Sequence, residues 1–300
     1  MKTRTKILSL TLSLILAMVI FTGCSSSDSD SESETIRIVH KNYTEQRILG
    51  SMLGQYLEAK GYDTTVSELG GSMLCFNALT NGDADLYPEY TGTGYCGILD
   101  ETEILPAEET YDFVKKAFEE NYGITWLKPL GFNNTYVFSV TQETIDKYDI
   151  ETISDLIPYA GDMTLGSDAE FTDRVDGLPG LLKVYEGLEF KDTKSMDQGL
   201  TYQALIDGSI DVNVSYATDG RIAKYNLVNL VDDRNFFPPY YLAPILKTEF
   251  ADANPEVVTA LEALENKFSD EDMQKYNQMV DDGESPDDVA RKMLEDKGLI

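Results

Sequence analysis

Histidine is almost absent from this chain: His40 is the only one in 300 residues. A nucleophile–His–acid triad therefore has one possible base, and a metal site built on several imidazoles has none. No G-x-S-x-G elbow occurs, and His40 stands beside a predicted strand end without an evident partner, so serine-hydrolase chemistry has no support. Basic residues are scarce as well. Against 53 Asp and Glu there are only 24 Lys and Arg, a net charge of −29. Phosphate neutralisation needs a surplus of cations on some face, which argues against nucleic acid as a partner. Among so many acids no carboxylate pair stands out for glycosidic chemistry. Asp83, Asp85 and Glu89 lack EF-hand spacing and read as a solvated face. No residue is a candidate for catalysis, and no metal or cofactor is implied.

Cysteine is rare, with three in all, and so are long apolar runs. The one such run, over 7–21, follows Lys2, Arg4 and Lys6 and is shorter than the ~20 residues of a membrane span. It suits the core of an export signal. The run ends Phe21-Thr22-Gly23-Cys24, followed by an acidic serine tract to Glu34. Small residues before a cysteine resemble the bacterial lipoprotein signal, in which Cys24 is lipidated and becomes the mature N-terminus. The expectation is a signal peptide over 1–23, a flexible tether over 24–34, and a mature chain held to the membrane outside the cytoplasm by a lipid on Cys24. An ordinary signal peptide with an incidental cysteine is the alternative. Cys75 and Cys96 are then either a disulfide in an oxidising compartment or two small buried thiols.

What the chain has in quantity is apolar and aromatic material: 42% hydrophobic residues and 18 tyrosines, enough to fill real cores. The pattern predicts a strand over 35–39, an amphipathic helix over 44–60 ending at Gly61, and a strand over 64–68. A helix capped by Ser72 runs through Leu79, and a strand covers 85–87. This βαβα order implies a parallel sheet with helices on both faces. Residues 76–90 (FNALTNGDADLYPEY) are echoed by 202–216 (YQALIDGSIDVNVSY), with Ala78/Ala204, Leu79/Leu205, Gly82/Gly208, Asp85/Asp211 and Tyr90/Tyr216 coinciding. Each copy reads as a helix end, a glycine stop, a short strand and a tyrosine at the strand's carboxyl edge, where open α/β sheets bind ligands. Two similar lobes with a cleft between them are one reading of the echo; convergence on a common βα unit is the other. The pattern G-x-G-x-x-G at 92–97 is not followed by a long helix, and a dinucleotide site is rejected. Tyrosine-rich clefts suit quaternary ammonium ions, each ring face attracting a cation by ~0.5–2 kcal/mol. Composition alone does not separate such a cleft from tyrosines that pad a core.

Seven segments carry a family resemblance: KNYTEQRILG (41–50), DLYPEYTGTG (85–94), GFNNTY (131–136), EFTDRVDGLPG (170–180), SMDQGLTYQAL (195–205), ATDGRI (217–222) and FFPPYYLAP (236–244). Together, over about 35–300, they resemble the substrate-binding proteins of ABC importers for osmoprotectants such as glycine betaine, carnitine and choline. The resemblance implies an α/β, two-lobed periplasmic-binding-protein fold of type II, with lobe one over 35–133 and 241–300 and lobe two over 134–240. It implies no enzymatic activity, a permease as partner, and a small quaternary ammonium ligand. The motifs put an aromatic cage at Tyr90, Tyr136, Tyr216 and Tyr240, with Tyr87 and Tyr241 as neighbours outside it. They put a clamp for the ligand's carboxylate at Lys41, Thr93 and Arg174. Choline-restricted relatives tend to carry an acid where this chain has Thr93, which favours glycine betaine or carnitine. Choline or ergothioneine in the same role, a sensory binding lobe, and an exported enzyme acting on a zwitterion are the alternatives.

Overall fold

Residues 35–300 are described by the structure, a computed structural model. The signal segment over 1–23, Cys24 and the tether over 24–34 lie outside the described residues. The β-branched run near the start forms β1 (Ile36–His40), and the amphipathic stretch behind it forms α1 (Thr44–Ala59). Then come β2 (Thr64–Glu68), α2 (Ser72–Asn81), β3 (Leu86–Tyr90), a π-helical turn at Thr93–Ile98, α3 (Ala107–Tyr122) and β4 (Ile124–Trp126). A second series follows: β5 (Tyr136–Val140), α4 (Gln142–Tyr148), β6 (Thr164–Ser167), α5 (Ala169–Asp173), α6 (Leu178–Val184), β7 (Asp192–Ser195), α7 (Gln198–Ile206), β8 (Val212–Tyr216), α8 (Arg221–Lys224) and β9 (Val228–Leu230). The chain closes with β10 (Leu242–Lys247), α9 (Thr248–Ala253), α10 (Pro255–Glu262), α11 (Asp270–Asp281) and α12 (Pro286–Asp296).

These strands form two five-stranded sheets, ordered β2-β1-β3-β10-β4 and β7-β6-β8-β5-β9. Each is mixed, not the purely parallel sheet that the βαβα order implies. β1 runs parallel to β2 and β3, and β6 runs parallel to β7 and β8. β10 and β5 enter antiparallel beside β3 and β8. The cause is the chain path: β10 reaches the first sheet only after the whole second sheet has been made, and no crossover helix turns it parallel. The sheets thus share one arrangement of strands, though connected in a different order, with β3 and β8 in equivalent places.

The internal echo falls on that equivalence. Gly82 and Gly208 end α2 and the turn after α7 in left-handed conformations, φ 80° and 69°. Asp85 and Asp211 then play the same part: Asp85 accepts the backbone N–H of Arg37 in β1 at 2.8 Å, and Asp211 accepts that of Thr164 in β6 at 2.8 Å. Each aspartate registers its strand on the neighbouring one, and Tyr90 and Tyr216 are delivered to the ends of β3 and β8. In α1, Ile48, Leu49, Met52, Leu53 and Leu57 are wholly buried between the first sheet and the C-terminal helices. At ~1.5–3 kcal/mol for each such side chain, that burial anchors the first half of the chain.

Two local expectations are overturned. Asp85 and Glu89 do not sit on a solvated face: both are buried, engaged by Arg37 and Lys41. Ser72 does not cap α2: it is the first helical residue, and Gly71 precedes it without a side-chain cap. The free end is instead satisfied by Glu170 of α5, which accepts from both the backbone N–H and the hydroxyl of Ser72 at 3.0 Å. A carboxylate at a helix N-terminus answers both the unpaired N–H groups and the helix dipole.

Candidate functional site between the two sheets

The aromatic wall is built by strand ends. Tyr90 closes β3 opposite Leu242 of β10, Tyr136 opens β5 in register with Tyr216 at the end of β8, and Tyr240 stands just ahead of β10. All four line a single cavity of about 580 Å³, together with Lys41, Thr93 and Arg174. Tyr136 is the hub, its ring centroid 5.1 Å from that of Tyr216 and 5.3 Å from that of Tyr240, the latter pair edge-on at 82°. Tyr43 lines the same cavity and stacks on Tyr216 at 6.1 Å. Tyr87 points to the other face of β3, where side chains alternate, and packs in a separate core with Cys75 and Trp126. Tyr241 is not part of the cavity wall.

Three of the four hydroxyls end on carboxylates. Tyr90 donates to Glu45 at 2.6 Å, Tyr216 donates to Asp168, and Tyr240 donates to Asp176. Burial pushes the phenols of Tyr90, Tyr136, Tyr216 and Tyr240 up, so the rings are neutral phenols at any working pH. Glu45 also accepts from Asn134, Thr218 and Asn277, at 2.8, 2.6 and 2.9 Å. Burial raises the Glu45 carboxyl even so, against those hydrogen bonds, and raises Asp168 against its bond from Tyr216.

The cationic side of the cavity is already engaged. The Lys41 ammonium is 2.6 Å from Glu89, both buried, and 5.1 Å from the centre of the Tyr90 ring. Arg174 donates through Nε to Asp176 at 2.8 Å and through Nη2 to its second oxygen. Its Nη1 reaches Thr93 and Glu170, each at 3.4 Å. Burial would lower the Arg174 guanidinium, but Asp176 outweighs it and holds it higher still. Glu170 is held low by Lys41, Arg174 and its bonds from Ser72, although burial opposes this. The structure therefore brings Lys41, Thr93 and Arg174 to one cavity, each cation with a protein carboxylate as partner. A ligand carboxylate arriving there would share these cations.

Several residues at the site were not legible beforehand. The glycines of the rejected G-x-G-x-x-G pattern are close-approach positions. A Cβ on Gly92 would lie 2.6 Å from ring carbons of Tyr240, and one on Gly97 would lie 2.9 Å from the Arg174 guanidinium carbon. Their spacing was visible; their purpose depends on side chains that fold against them from far along the chain. Glu45 and Asp176 sit inside the family segments, but nothing marks them among 53 acids. Cys75 and Cys96 are unpaired buried thiols, each pushed up to about 12 by burial, which decides between the two readings in favour of inert thiols. Among the described residues no group of three or more His, Cys, Asp and Glu could hold a metal, and no helix is long and apolar enough to cross a membrane.

Two mixed α/β sheets with a tyrosine-walled cavity between strand ends define a periplasmic-type solute-binding protein. Comparison with known proteins narrows this. The model of the OpuAC family, the substrate-binding domain of ABC-type glycine betaine transport systems, matches residues 34–296, and the chain belongs to that family. It is 39% identical over 269 residues to the carnitine transport binding protein OpuCC of Listeria monocytogenes, covering 87% of this chain and 86% of that one. It is 35% identical over 278 residues to a glycine-betaine-binding protein of Pseudomonas aeruginosa, covering 89% of each. A crystal structure described as a glycine betaine/carnitine/choline ABC transporter superposes with a TM-score of 0.73 at 36% identity, over 88% of this chain and 99% of that one. The protein is accordingly a non-enzymatic, extracytoplasmic substrate-binding protein of an osmoprotectant ABC importer.

Proposed function

We propose that the protein captures a quaternary ammonium compound that also carries a carboxylate, glycine betaine or carnitine, and presents it to its permease. The observation that carries this reading is the convergence of Tyr90, Tyr136, Tyr216 and Tyr240, from both sheets, on one cavity. A trimethylammonium group cannot donate ordinary hydrogen bonds, so negative ring faces are the available means of holding it. The Lys41 ammonium over the Tyr90 ring is a cation at one such face already. Lys41, Thr93 and Arg174 would receive the carboxylate end, the guanidinium by charge-assisted bonds. The names of the Listeria and Pseudomonas relatives support the same ligand class.

In this reading residues 35–133 with 241–300 form one lobe and 134–240 the other. The ligand is enclosed as they close, since each contributes rings and one side of the clamp. Ser72 donates to Glu170, and Arg174 donates to Thr93, so hydrogen bonds join the two halves beside the cavity. Lipidation of Cys24 would keep the protein beside the permease. Calorimetric titration of the purified protein with glycine betaine, carnitine and choline tests the proposal. Saturable binding of the first two, with choline weaker, is expected. Tyr136→Leu should weaken it about two- to thirtyfold, the worth of one lost ring face. No binding of any of the three by the wild type would overturn it.

A further inference from the structure

Two carboxylates beside the cage have no cation of their own. Glu45 is 3% exposed, and its four hydrogen-bond partners, Tyr90, Asn134, Thr218 and Asn277, are all neutral. Asp168 is half-buried and takes the hydroxyl of Tyr216 and the backbone N–H of Phe171, with Arg174 close enough to act on it electrostatically but paired elsewhere. Among the described residues neither is ion-paired, whereas Glu89 is matched by Lys41 and Asp176 by Arg174. A buried charge without a countercharge is expensive to keep, and hydrogen bonds from neutral donors offset only part of the cost. Each of these two charges ends on the hydroxyl of a ring that faces the same cavity. A phenol whose proton is drawn toward a carboxylate carries more negative charge on its ring, and the carboxylate adds its own field in a water-poor setting.

We infer that Glu45 and Asp168 are specificity-determining residues: they fix the rings of Tyr90 and Tyr216 and supply the negative charge that makes the cage select a permanent cation over an uncharged group of the same shape. The ligand's ammonium is the countercharge that Glu45 lacks and that Asp168, half-buried, has only through the field of Arg174, which is itself paired with Asp176. The two act through tyrosines from different sheets, so the selection acts on both sides of the ligand at once. This inference rests on the proposed function and deepens it.

The test compares glycine betaine with tert-butylacetate, in which carbon replaces the quaternary nitrogen and the shape is kept. Both are titrated into the wild type, Glu45→Gln and Asp168→Asn, each first shown to be folded by circular dichroism. The expected result is that each substitution cuts the preference for glycine betaine over tert-butylacetate by about tenfold, chiefly by weakening the betaine. If both ligands weaken equally, or neither changes, the carboxylates merely brace the rings and the inference is overturned. If Glu45→Gln does not fold, Asp168→Asn decides the matter alone. A wild type that shows no preference, or binds neither ligand, would instead defeat the underlying reading of the site.

Discussion

Asp168 and Glu45 hold protons more readily than ordinary carboxyls because burial disfavours their charged forms. The sign of the consequence is fixed by linkage. Within the window from the ordinary carboxylate range up to the raised folded value, the folded state binds more protons than the unfolded chain. Stability from these groups therefore falls as pH rises through that window and is regained on acidification. Asp168→Asn removes one such group without removing the rest. Paired thermal melts at about pH 7 and about pH 5 should show the wild type gaining relative to the variant at the lower pH, the window being set by the ordinary carboxylate value. An unchanged difference between the two melts would mean that Asp168 titrates normally. The same residues mark the limit of what sequence can tell. Tyr90, Tyr136, Tyr216 and Tyr240 could be picked from 18 tyrosines through family segments. The acids behind the rings could not, because an acid's role here depends on which hydroxyl folds against it.

At the scale of elements, periodicity was informative wherever the cause was local. α1 follows its apolar spacing to within a residue of the expected end, and the echoed helix–glycine–strand units appear in both sheets. It failed where a distant segment supplied the partner. The N-terminus of α2 is satisfied by Glu170, 98 residues away, so Ser72 looked like a cap. The antiparallel entry of β10 depends on a return path that no local pattern encodes. The π-helical turn at Thr93–Ile98 shows the same dependence, since the glycine before it only makes sense beside Tyr240. Gly92→Ala would drive a methyl into that ring at 2.6 Å, and Tyr240 would have to leave Asp176. The variant should fold with a melting temperature a few degrees lower and bind glycine betaine about tenfold more weakly, in line with ~1–3 kcal/mol for overpacking. Wild-type affinity in this variant would show that the position of the Tyr240 ring is not critical.

At the scale of the whole molecule, the two sheets repeat one arrangement of strands and meet through their tyrosine-bearing strand ends, so the cavity belongs to both. That arrangement explains how a chain with one histidine and, among the described residues, no reactive thiol can serve as a binding device. On the proposed reading it needs a shaped, aromatic, charge-tuned space that two halves can enclose, and no reacting group. The central claim is the orientation of the ligand in that space. A crystal structure of the protein with glycine betaine tests it most directly. The account predicts the trimethylammonium group among the rings of Tyr90, Tyr136, Tyr216 and Tyr240, with the carboxylate at Lys41, Thr93 and Arg174. A ligand bound the other way round, or with its ammonium outside the four rings, would contradict it.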